Sequence, residues 1–119
     1  MSEKPVILVV DDDGPILTLM RNLLREFGFQ ARTAPGGAEA IEAVRQQRPS
    51  LVLLDKNMPG MRCDEVIRSL RSEAARLPIL ILSGETVSND ELKRLQADGA
   101  VLKPFDVTAL IAQIREHLA

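Results

Sequence analysis

Apolar residues follow two rhythms along this chain. Unbroken runs of Val, Ile and Leu occupy Val6–Val10, Leu51–Leu54 and Ile79–Leu82. Runs without polar alternation predict strands buried on both faces. Between them the spacing turns helical: Ile16, Leu17, Met20, Leu23, Leu24 and Phe27 fall on one face of a helix opened near its first turn by Pro15 and closed by Gly28. A weaker strand at Gln30–Thr33 is followed by a Gly36-Gly37 break and a helix that turns Ala40, Ile41 and Val44 inward. Pro49 marks the next loop, and Cys63, Val66, Ile67 and Leu70 form a third helical stripe. Ser88 with Glu91 three positions on predicts a capping box that opens a short fourth helix, with Leu92 and Leu95 inward. A short strand at Ala100–Leu102 precedes a last helix capped by Asp106 and carrying Val107, Leu110, Ile111, Ile114 and Leu118 on one side.

Five alternations of strand and helix imply a parallel sheet covered on both faces. A closed barrel of eight such units needs about 250 residues, and this chain has 119. The expected fold is therefore α/β: a doubly wound, five-stranded parallel sheet with helices on both faces, a flavodoxin-like (βα)5 arrangement forming one domain over residues 1–119. In such sheets the ligand site lies beyond the carboxyl ends of the strands.

Composition narrows the class without changing the fold. With 45% apolar and 27% charged residues the chain falls in the globular range. Its longest apolar run is far too short to cross a bilayer, and Met1-Ser2-Glu3-Lys4-Pro5 lacks signal-peptide architecture. These features predict a cytoplasmic protein with no membrane insertion. Cys63 is the only cysteine, which excludes an internal disulfide and a cysteine metal cluster. The formal net charge is −2, with Lys and Arg scattered rather than clustered, so direct nucleic-acid binding is not expected.

The strand ends carry the chemistry. Asp11-Asp12-Asp13 follows the first strand, Asp55 the third, Ser83 the fourth and Lys103 the fifth. In a parallel sheet these ends share one edge, so carboxylates, a hydroxyl and an ammonium converge on one crevice. Clustered carboxylates call for a cation, and oxygen-only ligation suits Mg²⁺. Such a site can position and neutralise a phosphoryl group in transit. Asp55, at the end of the central buried strand and followed by Lys56-Asn57-Met58-Pro59-Gly60, is the candidate nucleophile.

Val9-Val10-Asp11-Asp12-Asp13, Leu53-Leu54-Asp55-Lys56-Asn57-Met58-Pro59-Gly60-Met61, Ile81-Leu82-Ser83-Gly84 and Lys103-Pro104-Phe105 resemble, in order and spacing, the four signature segments of response-regulator receiver domains. The resemblance covers the whole chain. It implies that Asp55 accepts a phosphoryl group from a sensor histidine kinase or phosphotransfer protein, in a Mg²⁺-dependent reaction that signals to a downstream partner or effector. It further implies Asp12, Asp55 and the Asn57 backbone carbonyl as direct Mg²⁺ ligands, with Asp11 acting through water. Ser83 would bond one phosphoryl oxygen and move toward it, Lys103 would pair with another, and the Lys103-Pro104 peptide would be cis.

Blander roles suit the remaining candidates. His117, the only histidine, is placed to complement a helix dipole. Cys63 is expected to be a small buried hydrophobe, and Met58 and Met61 to pack the loop. The chain departs from the resembled pattern at Ala100 (or Val101, if the register slips), where an aromatic usually stands, and at Lys56, where an apolar residue is common. A haloacid-dehalogenase-type phosphatase would need an acid two residues after the nucleophile, and Asn57 stands there. A phosphorylation-independent interaction module is the other alternative.

Overall fold

A computed structural model describes residues 4–118. Its elements alternate throughout: β1 (Val6–Val10), α1 (Gly14–Glu26), β2 (Gln30–Ala34), α2 (Gly37–Gln46), β3 (Leu51–Asp55), α3 (Cys63–Glu73), β4 (Ile79–Ser83), α4 (Asn89–Leu95), β5 (Gly99–Leu102) and α5 (Val107–His117). All five strands form one parallel sheet in the order β2-β1-β3-β4-β5. The chain winds outward in one direction from β1 and then reverses, which leaves the topological switch point between β1 and β3.

Strand alternation divides the core in two. Leu8, Val10, Val52, Leu54, Ile79 and Ile81 face α2 and α3, where Ala40, Val44, Val66, Ile67 and Leu70 meet them. Ile7, Val9, Leu51, Leu53, Leu80 and Leu82 face α1 and α5, against Met20, Leu24, Leu110, Ile111 and Ile114. Every residue of β3 and β4 is buried, which is why those runs lack polar alternation. The register also places Ala100, opposite Ile81, on the side of α4, whereas Val101 packs in the α1/α5 core. Ala100 is thus the residue facing the fourth helix.

Two expectations need correction at the helix ends. Phe27 is exposed and caps α1 rather than joining its buried face, while Phe29 is buried. The cause is a Schellman turn: Gly28, at φ +90°, donates its N–H to the Arg25 carbonyl and Phe29 donates to that of Leu24, which swings Phe29 back onto Leu24. Val107 at the start of α5 is likewise exposed. Leu92 and Leu95 do turn inward onto the core, but only half-buried, and α4 has no fully buried residue. The fourth helix is therefore the most loosely attached of the five, as expected of an element that packs few apolar groups.

The caps predicted at Ser88 and Asp106 both form, and the structure adds one at Asp13. Asp13 accepts the Ile16 N–H and Asp106 that of Thr108. Ser88 Oγ accepts from Glu91 N at 3.1 Å. The returning half of that capping box is missing, because the Glu91 carboxylate turns instead to Lys56 and Arg94.

Candidate functional site

Asp55 and Ser83 are the last residues of β3 and β4, one position beyond the predicted strand ends. Asp11 follows β1, and Lys103 follows β5. All four therefore meet at the carboxyl edge of the sheet. Asp11, Asp55 and Ser83 are buried there, the three buried polar or charged side chains among the described residues.

Lys103 joins the first and third strands. Its Nζ stands 3.1 Å from Asp55 Oδ1 and 3.4 Å from Asp11 Oδ2. Asp55 Oδ1 also accepts the Asn57 N–H at 3.4 Å, and Asp11 Oδ1 accepts that of Asp13 at 3.0 Å. The Lys103-Pro104 peptide is cis. Of the three consecutive aspartates, Asp13 serves the helix end while Asp11 and Asp12 face the crevice, so the cap and the site share one short segment.

Burial pushes the Asp55 carboxyl above its ordinary value, and the neighbouring Asp11 adds to that rise; the Lys103 ammonium and the Asn57 N–H only partly offset it. For Lys103, burial acts to lower the pKa, but the hydrogen bond and charge of Asp55, aided by Asp11, outweigh it and raise the value. One carboxylate oxygen from each of Asp11, Asp12 and Asp55 lies within 4.8 Å of the others. Three carboxylates against one ammonium leave an excess of negative charge, and the donors are all oxygen. That combination fits Mg²⁺.

Ser83 Oγ accepts the Glu85 N–H at 3.1 Å and, among the described residues, has no hydrogen bond to Asp55 or Lys103. Asn57 and Glu85 are exposed at the rim, as is Gly84. His117 stands in the last turn of α5, where its Nδ1–H donates to the Gln113 carbonyl at 2.8 Å. Cys63 begins α3 and is half-buried rather than fully buried; burial pushes its thiol up to about 11, so it stays protonated. Met58 and Met61 pack against the α2/α3 core.

The family model for the response regulator receiver domain matches residues 7–115. The chain belongs to the response-regulator receiver family. Its relatives include the DNA-binding response regulator MtrA of Mycobacterium tuberculosis, 40% identical over 114 residues. That match covers 94% of this chain and 50% of the relative. The transcriptional regulatory protein PrrA of the same organism is 35% identical over 116 residues, with 96% and 50% covered. The receiver chain thus spans about half the length of the curated relatives it matches. Chemotaxis protein CheY4 of Vibrio cholerae superposes with a TM-score of 0.89 at 30% identity, covering 96% of this chain and 98% of that one. A receiver domain from the Pseudomonas aeruginosa sensor histidine kinase PA1611 has the same fold, with a TM-score of 0.87, 22% identity and 98% of both chains covered; its structure holds a magnesium ion in the active-site cleft. Among the described residues of the present receiver, no helix is long and apolar enough to cross a membrane.

Two features escaped the sequence reading. Lys56 forms an ion pair with Glu91 of α4 at 3.0 Å. Arg71 of α3 donates to the carbonyls of Ala75, Leu77 and Gln96 and to Asp98, which ties α3 to the segment between α4 and β5. Neither pairing leaves a trace in local spacing, since the partners are far apart in the chain and charged residues on helix faces are ordinarily solvated.

Proposed function

We propose that this receiver domain, residues 1–119, is a phosphorylation switch in which Asp55 accepts a phosphoryl group from a sensor histidine kinase or phosphotransfer protein. The observation that carries this reading is the Lys103 ammonium, held between Asp55 and Asp11 where the strand ends meet. A carboxylate oxygen of Asp55 attacks phosphorus; the new O–P bond forms as the donor's N–P bond breaks, and the leaving imidazole nitrogen keeps the electron pair and takes up a proton. Lys103 exchanges part of its contact with Asp55 for a phosphoryl oxygen, and Ser83 turns its hydroxyl from Glu85 toward another. Asp12, Asp55 and the Asn57 carbonyl would hold Mg²⁺ directly, with Asp11 assisting through water. Bound there, the ion would neutralise charge on the transferring group. Asp11 suits the indirect role, because its two oxygens already serve Asp13 and Lys103.

This site suits a switch better than a turnover enzyme. Asn57 cannot supply the acid that a phosphatase acting on outside substrates needs two residues after its nucleophile. The DNA binding in the name of MtrA belongs to a protein twice as long as the matched segment. We infer that this receiver acts in the cytoplasm and signals to a protein partner or effector without itself contacting nucleic acid.

The decisive experiment is incubation with Mg²⁺ and a small phosphodonor such as acetyl phosphate, followed by intact mass. One phosphoryl adduct is expected on the wild type and none on Asp55→Asn. An adduct that persists in the variant would move the acceptor elsewhere. No adduct on either protein would favour a phosphorylation-independent interaction module.

A further inference from the structure

Ala100 stands on the α4 side of β5, so no side chain there is large enough to carry a signal by changing rotamer between the acceptor site and α4. The chain nevertheless has a direct connection between them. Lys56 is the residue immediately after Asp55, and its backbone N–H is held by the Leu82 carbonyl of β4 at 2.9 Å. Its ammonium crosses to Glu91 of α4 at 3.0 Å, with both side chains about three-quarters buried.

Three further observations make this contact more than an incidental surface pair. Glu91 is diverted from the Ser88 N–H that its place in a capping box would offer, so α4 lacks half of its N-terminal cap while the pair is made. α4 has no buried residue and leans on the core only through the half-buried Leu92 and Leu95, so the pair adds a polar tie to a lightly packed helix. The same Glu91 oxygen that meets Lys56 is shared with Arg94 of its own helix, at 3.6 Å. The carboxylate therefore has two arrangements available: shared between Arg94 and Lys56 at the end of β3, or kept wholly within α4 by Arg94 and Ser88. The pair lies at a cleft of about 610 Å³ between α3 and α4, lined also by Cys63, Arg62 and Arg68.

We propose that the Lys56–Glu91 ion pair is a latch that holds α4 to the acceptor strand, and that phosphorylation of Asp55 releases it. The inference rests on Asp55 being the acceptor. A phosphoryl group there adds negative charge one residue from Lys56, which draws the ammonium inward and disfavours the Glu91 carboxylate nearby. Glu91 then keeps only Arg94 and completes its capping box, α4 separates from β3, and the α3–α4 cleft opens. The phosphoryl group needs only to bind the two arrangements unequally for the population to shift.

The test compares amide spectra of the wild type, Lys56→Met, Lys56→Arg and Glu91→Gln, each with Mg²⁺ and with or without beryllofluoride as phosphoryl mimic. Without the mimic, Lys56→Met and Glu91→Gln are expected to move the amides of Asn89–Leu95 part of the way toward their positions in the mimic-bound wild type, and to speed their hydrogen exchange several-fold. Lys56→Arg is expected to leave them near the wild-type positions. The latch is overturned if α4 amides in Lys56→Met and Glu91→Gln coincide with the wild type before the mimic is added, or if adding it moves them as far as in the wild type. Intact mass after acetyl phosphate separates the two levels. A wild type that forms no adduct removes the acceptor reading itself, whereas an adduct accompanied by motionless α4 amides removes only the latch.

Discussion

Lys103 Nζ stands 3.1 Å from Asp55 Oδ1 although 48 positions separate the two residues in the chain. The contact is imposed by topology, since β3 and β5 flank β4 in a parallel sheet and all three end at the same edge. It holds together a site whose carboxylates would otherwise repel, and that tension sets the first two predictions.

Asp55→Asn should stabilise the fold at neutral pH. Burial and Asp11 hold the folded-state pKa of Asp55 above its unfolded value, so keeping it ionised in the folded protein costs stability. The sign follows from linkage: the penalty is absent below the unfolded value of about 3.9, grows as pH rises toward the folded value, and is full above it. The variant should melt above the wild type at pH 7 without Mg²⁺, with the gap closing as pH falls toward the unfolded value. Calorimetry across that range checks it. A variant that melts below the wild type at pH 7 would mean that the lost bond to Lys103 outweighs the relief.

Lys103→Met should separate metal binding from phosphoryl acceptance. Removing the ammonium takes away a cation that competes for Asp11 and Asp55, so Mg²⁺ should bind at least as tightly as in the wild type. Acceptance from acetyl phosphate should nonetheless slow by roughly 100-fold, the usual size of losing one charge-stabilising donor. Titration calorimetry and adduct mass read the two effects independently. Acceptance at the wild-type rate would deny Lys103 its role.

Much of this molecule was legible because it is written in local rhythm. Unbroken apolar runs identify β1, β3 and β4, and the strand-end rule then brings Asp11, Asp12, Asp55, Ser83 and Lys103 to one edge from sequence order alone. The errors fall where the third dimension decides. Phe27 continued the stripe of α1 by spacing, but a Schellman turn at Gly28 buried Phe29 in its place. The capping box at Ser88 was half right because Glu91 found Lys56, a partner 35 positions away that no local pattern can announce. Arg71 was missed for the same reason. Besides Asp98, 27 positions away, its partners are backbone carbonyls, which carry no residue-type signature.

Arg71 should be the most costly of the charged side chains outside the site to remove. It is largely buried, with its fork shared among the Ala75, Leu77 and Gln96 carbonyls and Asp98. Arg71→Met leaves those acceptors unsatisfied and should cost about 2–4 kcal/mol in denaturant unfolding. Arg71→Lys should recover only part of it, because an ammonium cannot reproduce the planar fork. Full recovery by lysine would show that charge alone, rather than the fork, secures the α4–β5 connection.

The last prediction concerns how long the phosphoryl group stays. Loss of the group requires water to attack phosphorus in line while the bond to Asp55 breaks, which restores the carboxylate and frees inorganic phosphate. Access is therefore decided at the rim, where Asn57 and Glu85 are exposed polar groups and Gly84 leaves open space: a Cβ placed there meets nothing within 4 Å. Both side chains can hydrogen-bond an incoming water, and neither shields the site with apolar bulk, so the acyl phosphate should be short-lived. Replacing both by apolar groups, Asn57→Met with Glu85→Leu, should slow decay by roughly 10-fold, equivalent to about 1.4 kcal/mol on the barrier. Acceptance by Asp55 should change less, since the attacking oxygen and Lys103 are untouched. The measurement is adduct mass against time after the phosphodonor is removed. Decay that is unchanged in the double variant would place the control of water inside the crevice, at Ser83 and Lys103, rather than at its rim.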